Sequence, residues 1–193
     1  MGIILASESP RRKELLERMG LDFTVRVAPI DETMDPFAHP ADEVSRVAQL
    51  KAKSVYSYCN DGDIIIGADT IVVCDSLVMG KPRSESEAFS MLRRLSGREH
   101  QVMTGLCVLR GSQVTVCTEI TNIHFRPLSD REIRAYVRTG EPMDKAGSYG
   151  IQGGAALFAE KLVGDYYNVV GLPVCTLGKI LRSVAPELME ENQ

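Results

Sequence analysis

Between residues 64 and 73 the chain reads Ile-Ile-Ile-Gly-Ala-Asp-Thr-Ile-Val-Val, two β-branched runs separated by small and polar residues. Branching at Cβ suits both runs to strand, and their lack of alternation suits a strand buried on both faces. Asp69 therefore interrupts an apolar strand, where an ionised carboxylate is costly unless it is paired, hydrogen-bonded or bound to a metal. A turn-forming aspartate at a strand end is the structural alternative. Asp75-Ser76 marks a turn, from which the chain is expected to return through Leu77 to Gly80.

Around that feature, short apolar runs alternate with helix-like stretches, the pattern of a mixed α/β protein. Ile3 to Ala6 is a predicted strand leading into Ser9-Pro10, where Ser9 can cap a helix, Pro10 suits its first turn and Gly20 stops it. Phe23, Val25 and Val27 alternate as a second strand, and a helix is expected from Asp42 to about Ser57 with Val44, Val47, Ala48 and Val55 on one face. Ser84-x-x-Glu87 and Ser129-x-x-Glu132 are capping boxes, opening helices that end near Gly97 and Gly140. Between them, Gln101 to Leu109 and Val114 to Phe125 read as a hairpin around Gly111-Ser112. Asp144 to Gly154 is irregular and glycine-rich, as a functional loop would be. Strand character is expected to resume at Leu157 to Leu162 and at Tyr166 to Val170, with a last helix from Leu172-Pro173 to about Arg182. One domain over residues 1–185 and a frayed acidic tail over 186–193 complete the reading.

With 193 residues, of which 44% are hydrophobic, the chain can bury one sizeable core. No run approaches the roughly 18 to 20 apolar residues of a membrane span. Met1 to Ala6 lacks the charged leader of a signal peptide and reads as strand. Five cysteines, an odd number without C-x-x-C spacing, point to reduced thiols and a cytoplasmic protein. A net charge of -4 disfavours a broad basic surface for polymeric nucleic acid, so a polyanionic ligand must meet a local cluster of positive charge.

Several chemistries lack their signatures. There is no G-x-x-x-x-G-K-[ST] loop, no G-x-G-x-x-G, no G-x-S-x-G elbow and no H-E-x-x-H, and His39, His100 and His124 read as structural or surface residues. Ser7-Glu8-Ser9-Pro10-Arg11-Arg12, by contrast, sets free backbone N–H groups, hydroxyls and two guanidinium groups at a strand-to-helix junction. That is the outline of a phosphate site, and equally of an ordinary capped helix with solvent-facing arginines. Lys81, at the end of the strand returning from Asp75-Ser76, can come back toward Asp69, and Glu32 and Lys51 lie at element ends or faces nearby in chain order. Singly these are surface charges. Together they supply two carboxylates for a divalent cation and several cations for a triphosphate, the requirements of phosphoryl or nucleotidyl transfer.

The same residues sit in a longer ordered series: Ser7-x-Ser9-Pro10-Arg11-Arg12, Asp31-Glu32, Lys51-Ala52, Gly67-Ala68-Asp69-Thr70, Gly80-Lys81-Pro82, His100-x-Val102-x-Thr104-Gly105, Asp144-Lys145-Ala146-Gly147-x-Tyr149-Gly150-Ile151-Gln152-Gly153 and Val170-Gly171-Leu172-Pro173. In this series the chain resembles the Maf family from Ile3 to about Arg182. The resemblance implies a cytoplasmic nucleoside triphosphate pyrophosphatase with an elongated, Maf/ITPase-like mixed α/β fold, its sheet flanked by helices and a deep cleft between two lobes. It implies a divalent metal cofactor, Mg2+ or Mn2+, and family members are often dimers. Carried over, Asp69 is the proton acceptor, and Arg11, Thr70 and Gln152 set base specificity in the combination of the dTTP/UTP branch rather than the 7-methyl-GTP branch. Ser7, Arg12, Glu32, Lys51, Lys81 and Lys145 line the phosphate and metal region. Glu8 departs from the small residue common at its place, and it is expected to point away from the phosphates.

The implied reaction is attack of water on the α-phosphorus, with a cation held by Asp69 and Glu32 and the leaving pyrophosphate neutralised by Arg12, Lys51 and Lys81. Gln152 offers a donor and an acceptor that suit the edge of uracil or thymine, or else it fixes its own glycine-rich loop. CTP and modified pyrimidine nucleotides are further candidate substrates. The competing class is a nucleotide-binding regulator of septum formation without useful turnover. A pure binder has no need of Asp69 among its cations, where the carboxylate repels the ligand unless a metal intervenes.

Overall fold

The computed structural model describes residues 1–190, and side chains up to residue 188. Among the described residues, seven strands form one mixed sheet in the order β2-β1-β3-β5-β6-β7, with β4 paired to β3. The strands are β1 (Ile3–Leu5), β2 (Phe23–Val25), β3 (Ile64–Cys74), β4 (Leu77–Met79), β5 (Glu99–Arg110), β6 (Gln113–Phe125) and β7 (Ala159–Val163). β1 runs parallel to β2 and to β3, while the β3–β4 and β6–β7 pairs are antiparallel. The chain divides into two compact units, and the division falls within β3, between Asp69 and Thr70.

The first unit holds Met1–Asp69, Thr104–Glu119 and the chain from Gly171. Helix α1 (Pro10–Arg18) follows β1, and α2 (Pro40–Ser54) leads toward β3. Ile4 and Ala6 of the first strand region, Ile65 of β3 and Cys107 and Leu109 of β5 close a core with Ala48, Ala52 and Val55. A fully buried Ile, Leu or Val side chain contributes about 1.5–3 kcal/mol, so the run Ile64-Ile65-Ile66, all buried, fixes β3 in the interior. Helix α6 (Val174–Val184) buries Leu177 and Leu181. The short α7 (Glu187–Glu190) corrects the expected fraying from Pro186, because Arg110 donates to the Val184 carbonyl and pairs with Glu187 at 2.7 Å. Residues 191–193 of the proposed tail lie outside the described residues.

The second unit holds Thr70–Met103 and Ile120–Val170. Its core gathers Val72, Leu92, Leu95, Ile123, Phe125, Ile133, Tyr136, Tyr149 and Phe158. Helices α3 (Glu85–Leu95) and α4 (Asp130–Val137) start at the expected caps: the Ser84 hydroxyl accepts from the Glu87 amide, and Ser129 and Glu132 form a full capping box. Three short 3-10 turns, Glu141–Asp144, Ala146–Ser148 and Gly154–Leu157, precede β7, which begins at Ala159 rather than Leu157.

Three further expectations are corrected. Tyr166–Val170 is a short helix, α5, not a strand; Asp165 Oδ1 caps it by accepting from the Tyr167 amide at 2.8 Å. The buried Asn168 on it donates to the Val102 carbonyl at 3.0 Å and to Thr121 Oγ1 at 2.9 Å. These bonds override the β-propensity of a Tyr-Tyr-Asn-Val-Val segment. Helix α2 starts at Pro40, before Asp42, because His39 Nδ1 accepts from the Ala41 amide at 3.3 Å. Ser9 stands at the cap position of α1 but makes no side-chain cap bond.

Candidate active site

The cost of placing Asp69 within β3 is met by an ammonium group. α2 lies so close to β3 that a Cβ on Gly67 would strike the Ala48 carbonyl and come within 2.8 Å of the Ala52 amide. Glycine at 67 thus sets the spacing that delivers Lys51, the neighbour of Ala52, to the strand. Lys51 Nζ donates to Asp69 Oδ1 at 2.7 Å and pairs with Glu32 Oε2 at 2.9 Å. The Lys51 and Asp69 side chains are only 16% and 14% exposed, whereas Glu32 is 57% exposed. The strong partner is therefore Asp69, since water screens the Glu32 pair.

Arg12 stands beside this centre as a buried cation. Its Nε donates to the Gly171 carbonyl at 2.8 Å and its Nη1 to Ser7 Oγ at 3.0 Å. The Ser9 amide also donates to Ser7 Oγ, at 3.3 Å, so Ser7 and not Ser9 gathers the donors of the β1–α1 junction. Burial pulls the Arg12 pKa below its ordinary value; Asp69 opposes the shift, Arg11 adds to it, and Glu32 opposes it. A guanidinium nonetheless remains charged in proteins. The buried charge is thus balanced by the two carboxylates that Lys51 holds. Glu8 is exposed.

The loop carrying Glu32 is tied to α2 by contacts that the spacing of motifs did not reveal. Arg46 forms a double contact with Glu43 at 2.8 Å and donates to the Thr33 carbonyl at 2.7 Å. Glu43 also accepts from the Asp35 amide at 2.7 Å. The Arg46 hydrogen bond, then that of the Asp35 amide, hold the Glu43 carboxyl down at about 2. A Glu-x-x-Arg spacing on α2 was the only sequence signal for the pair. The Arg12 acceptor, Gly171, had no such signal beyond its place in Val170-Gly171-Leu172-Pro173.

Arg11, half-buried in the first turn of α1, belongs to the first unit, and the second unit carries the other sequence-predicted residues. Thr70 follows Asp69 on β3 and is half-buried. Lys81 is exposed, two residues beyond Met79, which pairs with Val72. The Gly147 amide donates to the Gly80 carbonyl at 3.1 Å, tying the segment of Lys145 to that of Lys81. Lys145 Nζ itself donates to Asp144 Oδ1 and to the Glu141 carbonyl, both at 2.6 Å. Gln152 is exposed at the tip of the glycine-rich loop. His100, quoted in the motif series, is buried against Tyr149, with Nε2 2.8 Å from its hydroxyl, and burial pushes its pKa down to about 4. It is a neutral packing residue at pH 7. His39 caps α2, and His124 Nδ1 lies 3.4 Å from Glu160.

Within the first unit, then, Ser7, Arg12, Glu32, Lys51 and Asp69 form one electrostatic centre. No group of three or more His, Cys, Asp or Glu able to hold a metal occurs among the described residues. The two carboxylates meeting at Lys51 Nζ nevertheless fit Mg2+, which takes one or two protein carboxylates and completes its shell with water and substrate phosphates. Among the described residues no helix is long and apolar enough to cross a membrane.

Comparison with known proteins agrees with the motif series. The sequence profile of the family described as Maf-like protein matches residues 2–184. A dTTP/UTP pyrophosphatase of Alkaliphilus metalliredigens (strain QYMF) is 50% identical over 181 residues, covering 93% of this chain and 94% of the relative. One of Symbiobacterium thermophilum (strain DSM 24528 / JCM 14929 / IAM 14863 / T) is 54% identical over 172 residues, covering 89% and 88%. Among solved structures, a HAM1 protein from Coxiella burnetii superposes with a TM-score of 0.49 at 12% identity, covering 95% of this chain and 99% of that one.

Proposed function

The chain belongs to the Maf-like protein family, and on that premise we propose that it hydrolyses dTTP and UTP to the nucleoside monophosphate and pyrophosphate. The observation that carries the reading is the convergence of Asp69 and Glu32 on Lys51 Nζ, at 2.7 and 2.9 Å, beside the buried Arg12. Relatives at 50% and 54% identity that are named dTTP/UTP pyrophosphatases support the choice of substrate.

Asp69 and Glu32 would hold a divalent cation, Mg2+ or Mn2+, which would supply a more acidic water and charge neutralisation at the phosphates. Asp69 orients the attacking water toward the α-phosphorus and accepts its proton at a carboxylate oxygen. Its hydrogen bond from Lys51 and its place on a buried strand fix that oxygen before substrate arrives, so little reorganisation is needed during reaction. Arg12, pinned by Ser7 and the Gly171 carbonyl, is a preorganised cation for the charge that develops on the leaving pyrophosphate. Lys51, Lys81 and Lys145 serve the same charge, and Arg11, Thr70 and Gln152 read the base. The whole set works as one catalytic domain over residues 1–185, in the cytoplasm, and the protein assembles as a homodimer. A house-cleaning role removes unwanted pyrimidine nucleotides, CTP and modified bases among the candidates.

Incubation of dTTP with the protein and Mg2+, followed by chromatography, tests the reading. The expected products are dTMP and pyrophosphate. dTDP with phosphate would mark an ordinary phosphatase, and unchanged dTTP with measurable binding would favour a regulator of septum formation.

A further inference from the structure

The loop bearing Gln152 is anchored on both sides by a single pair of side chains. Tyr136, buried at the end of α4, donates its hydroxyl hydrogen to Glu141 Oε1 at 2.8 Å and accepts from the Gly150 amide at 3.1 Å. Glu141 Oε2 accepts from the Gly154 amide at 3.1 Å. Gly150 and Gly154 flank Gln152 by two residues each, so both stems of the tip close on one phenol–carboxylate pair. The fit is tight: a Cβ on Gly153 would collide with the Glu141 carboxylate, and one on Gly154 would lie 3.2 Å from the Tyr136 ring. Glycine at 153 is the condition for the loop to lie on the carboxylate.

This arrangement bears on selectivity because Gln152 is exposed and its side chain has three rotatable bonds. Uracil and thymine present an acceptor at O4 beside an N3–H donor; cytosine presents the reverse, an amino group beside an acceptor. An amide that rotates freely satisfies both, since it carries a donor and an acceptor on one plane. Telling the two apart requires the amide to be held in one orientation, and that begins with a fixed backbone.

We propose that Tyr136 and Glu141 are positioning residues that hold the 150–154 loop so that Gln152 discriminates uracil and thymine from cytosine. The proposal rests on the reading that Gln152 contacts the base. It assigns no role to either residue in the attack on phosphorus.

The experiment compares kcat/KM for dTTP and dCTP in the parent protein and in Gln152→Ala, Tyr136→Phe, Glu141→Ala and Glu141→Gln. Tyr136→Phe keeps the buried ring and removes only the hydroxyl. The expected result is an approximately tenfold fall in the dTTP-to-dCTP ratio, the scale of one lost hydrogen bond, carried by KM for dTTP with kcat held within about twofold. Glu141→Gln, whose amide oxygen still accepts, should restore part of what Glu141→Ala loses. Amide hydrogen exchange should quicken at Gly150 in Tyr136→Phe and at Gly154 in Glu141→Ala, a readout that does not depend on turnover. If the ratio falls in Gln152→Ala but is unchanged in Tyr136→Phe and Glu141→Ala, the positioning role is wrong while base reading by Gln152 stands. An unchanged ratio in Gln152→Ala would overturn the base-reading role and this proposal with it.

Discussion

Replacing Lys51 by Met removes the ammonium while keeping an unbranched apolar stem on α2. The structure sets the size of the effect. The pair with Glu32 is 57% exposed at its acid and contributes at most about 0.5 kcal/mol. The contact with Asp69, at 2.7 Å between side chains 16% and 14% exposed, is a charge-assisted hydrogen bond of about 1.5–3 kcal/mol. The expected loss is about 2 kcal/mol, or a fall in Tm of about 4–8 °C for a chain of 193 residues. Thermal unfolding of Lys51→Met, Asp69→Asn and the double variant isolates the pair, because the cycle cancels effects that each change has alone. A coupling energy of about 1.5–3 kcal/mol is expected. The two carboxylates left facing each other in Lys51→Met should also make Mg2+ more stabilising than in the parent. Coupling below about 0.5 kcal/mol would refute the claim that Lys51 balances Asp69 within β3.

Asp69→Asn should abolish turnover of dTTP while leaving the circular dichroism spectrum unchanged; near-parent activity would remove Asp69 from the mechanism. Gly67→Val should lower stability by about 1–3 kcal/mol, because the new side chain meets the Ala48 carbonyl and the Ala52 amide and forces α2 away from β3. A melting temperature equal to the parent's would show that the close approach is not needed. The Glu43 carboxyl titrates near 2 in the folded protein against an ordinary 4.5, so its contribution is present above pH 4.5 and is lost as the pH falls toward 2. Melts of parent and Glu43→Gln across that window should converge as the pH drops, and a gap that stays constant would separate Glu43 from the acid response.

The parts of the fold that were legible in the sequence are those fixed by local chemistry. The β-branched residues on both sides of Asp69 form one continuous strand, and the Ser84 and Ser129 boxes start helices where hydroxyl and carboxylate spacing allows nothing better. Tyr166–Val170 was misread because its side chains favour strand in isolation, while Asp165 and the buried bonds of Asn168 make it a helix. The start of α2 was misplaced because histidine is an unusual cap, although Pro40 at its first position pointed there. At the site, the family resemblance pointed to Ser7, Arg12, Glu32, Lys51 and Asp69, and the structure sets these residues beside one another. The contacts that hold them were not legible in the sequence. Gly171 lies 159 residues from Arg12, and its carbonyl carries no signature in any side chain. Glu141 and Tyr136 are close in sequence to the loop they grip, yet a Tyr and a Glu near a helix end read as ordinary surface and core until the amides of Gly150 and Gly154 are seen to reach them.

The central claim, that water attacks the α-phosphorus of a pyrimidine triphosphate, is tested most directly by turnover of dTTP in 18O-enriched water with mass analysis of both products. Attack at the α-phosphorus places the label in dTMP and leaves pyrophosphate unlabelled. Label in the pyrophosphate with unlabelled dTMP would place the attack on the β-phosphorus and contradict the account.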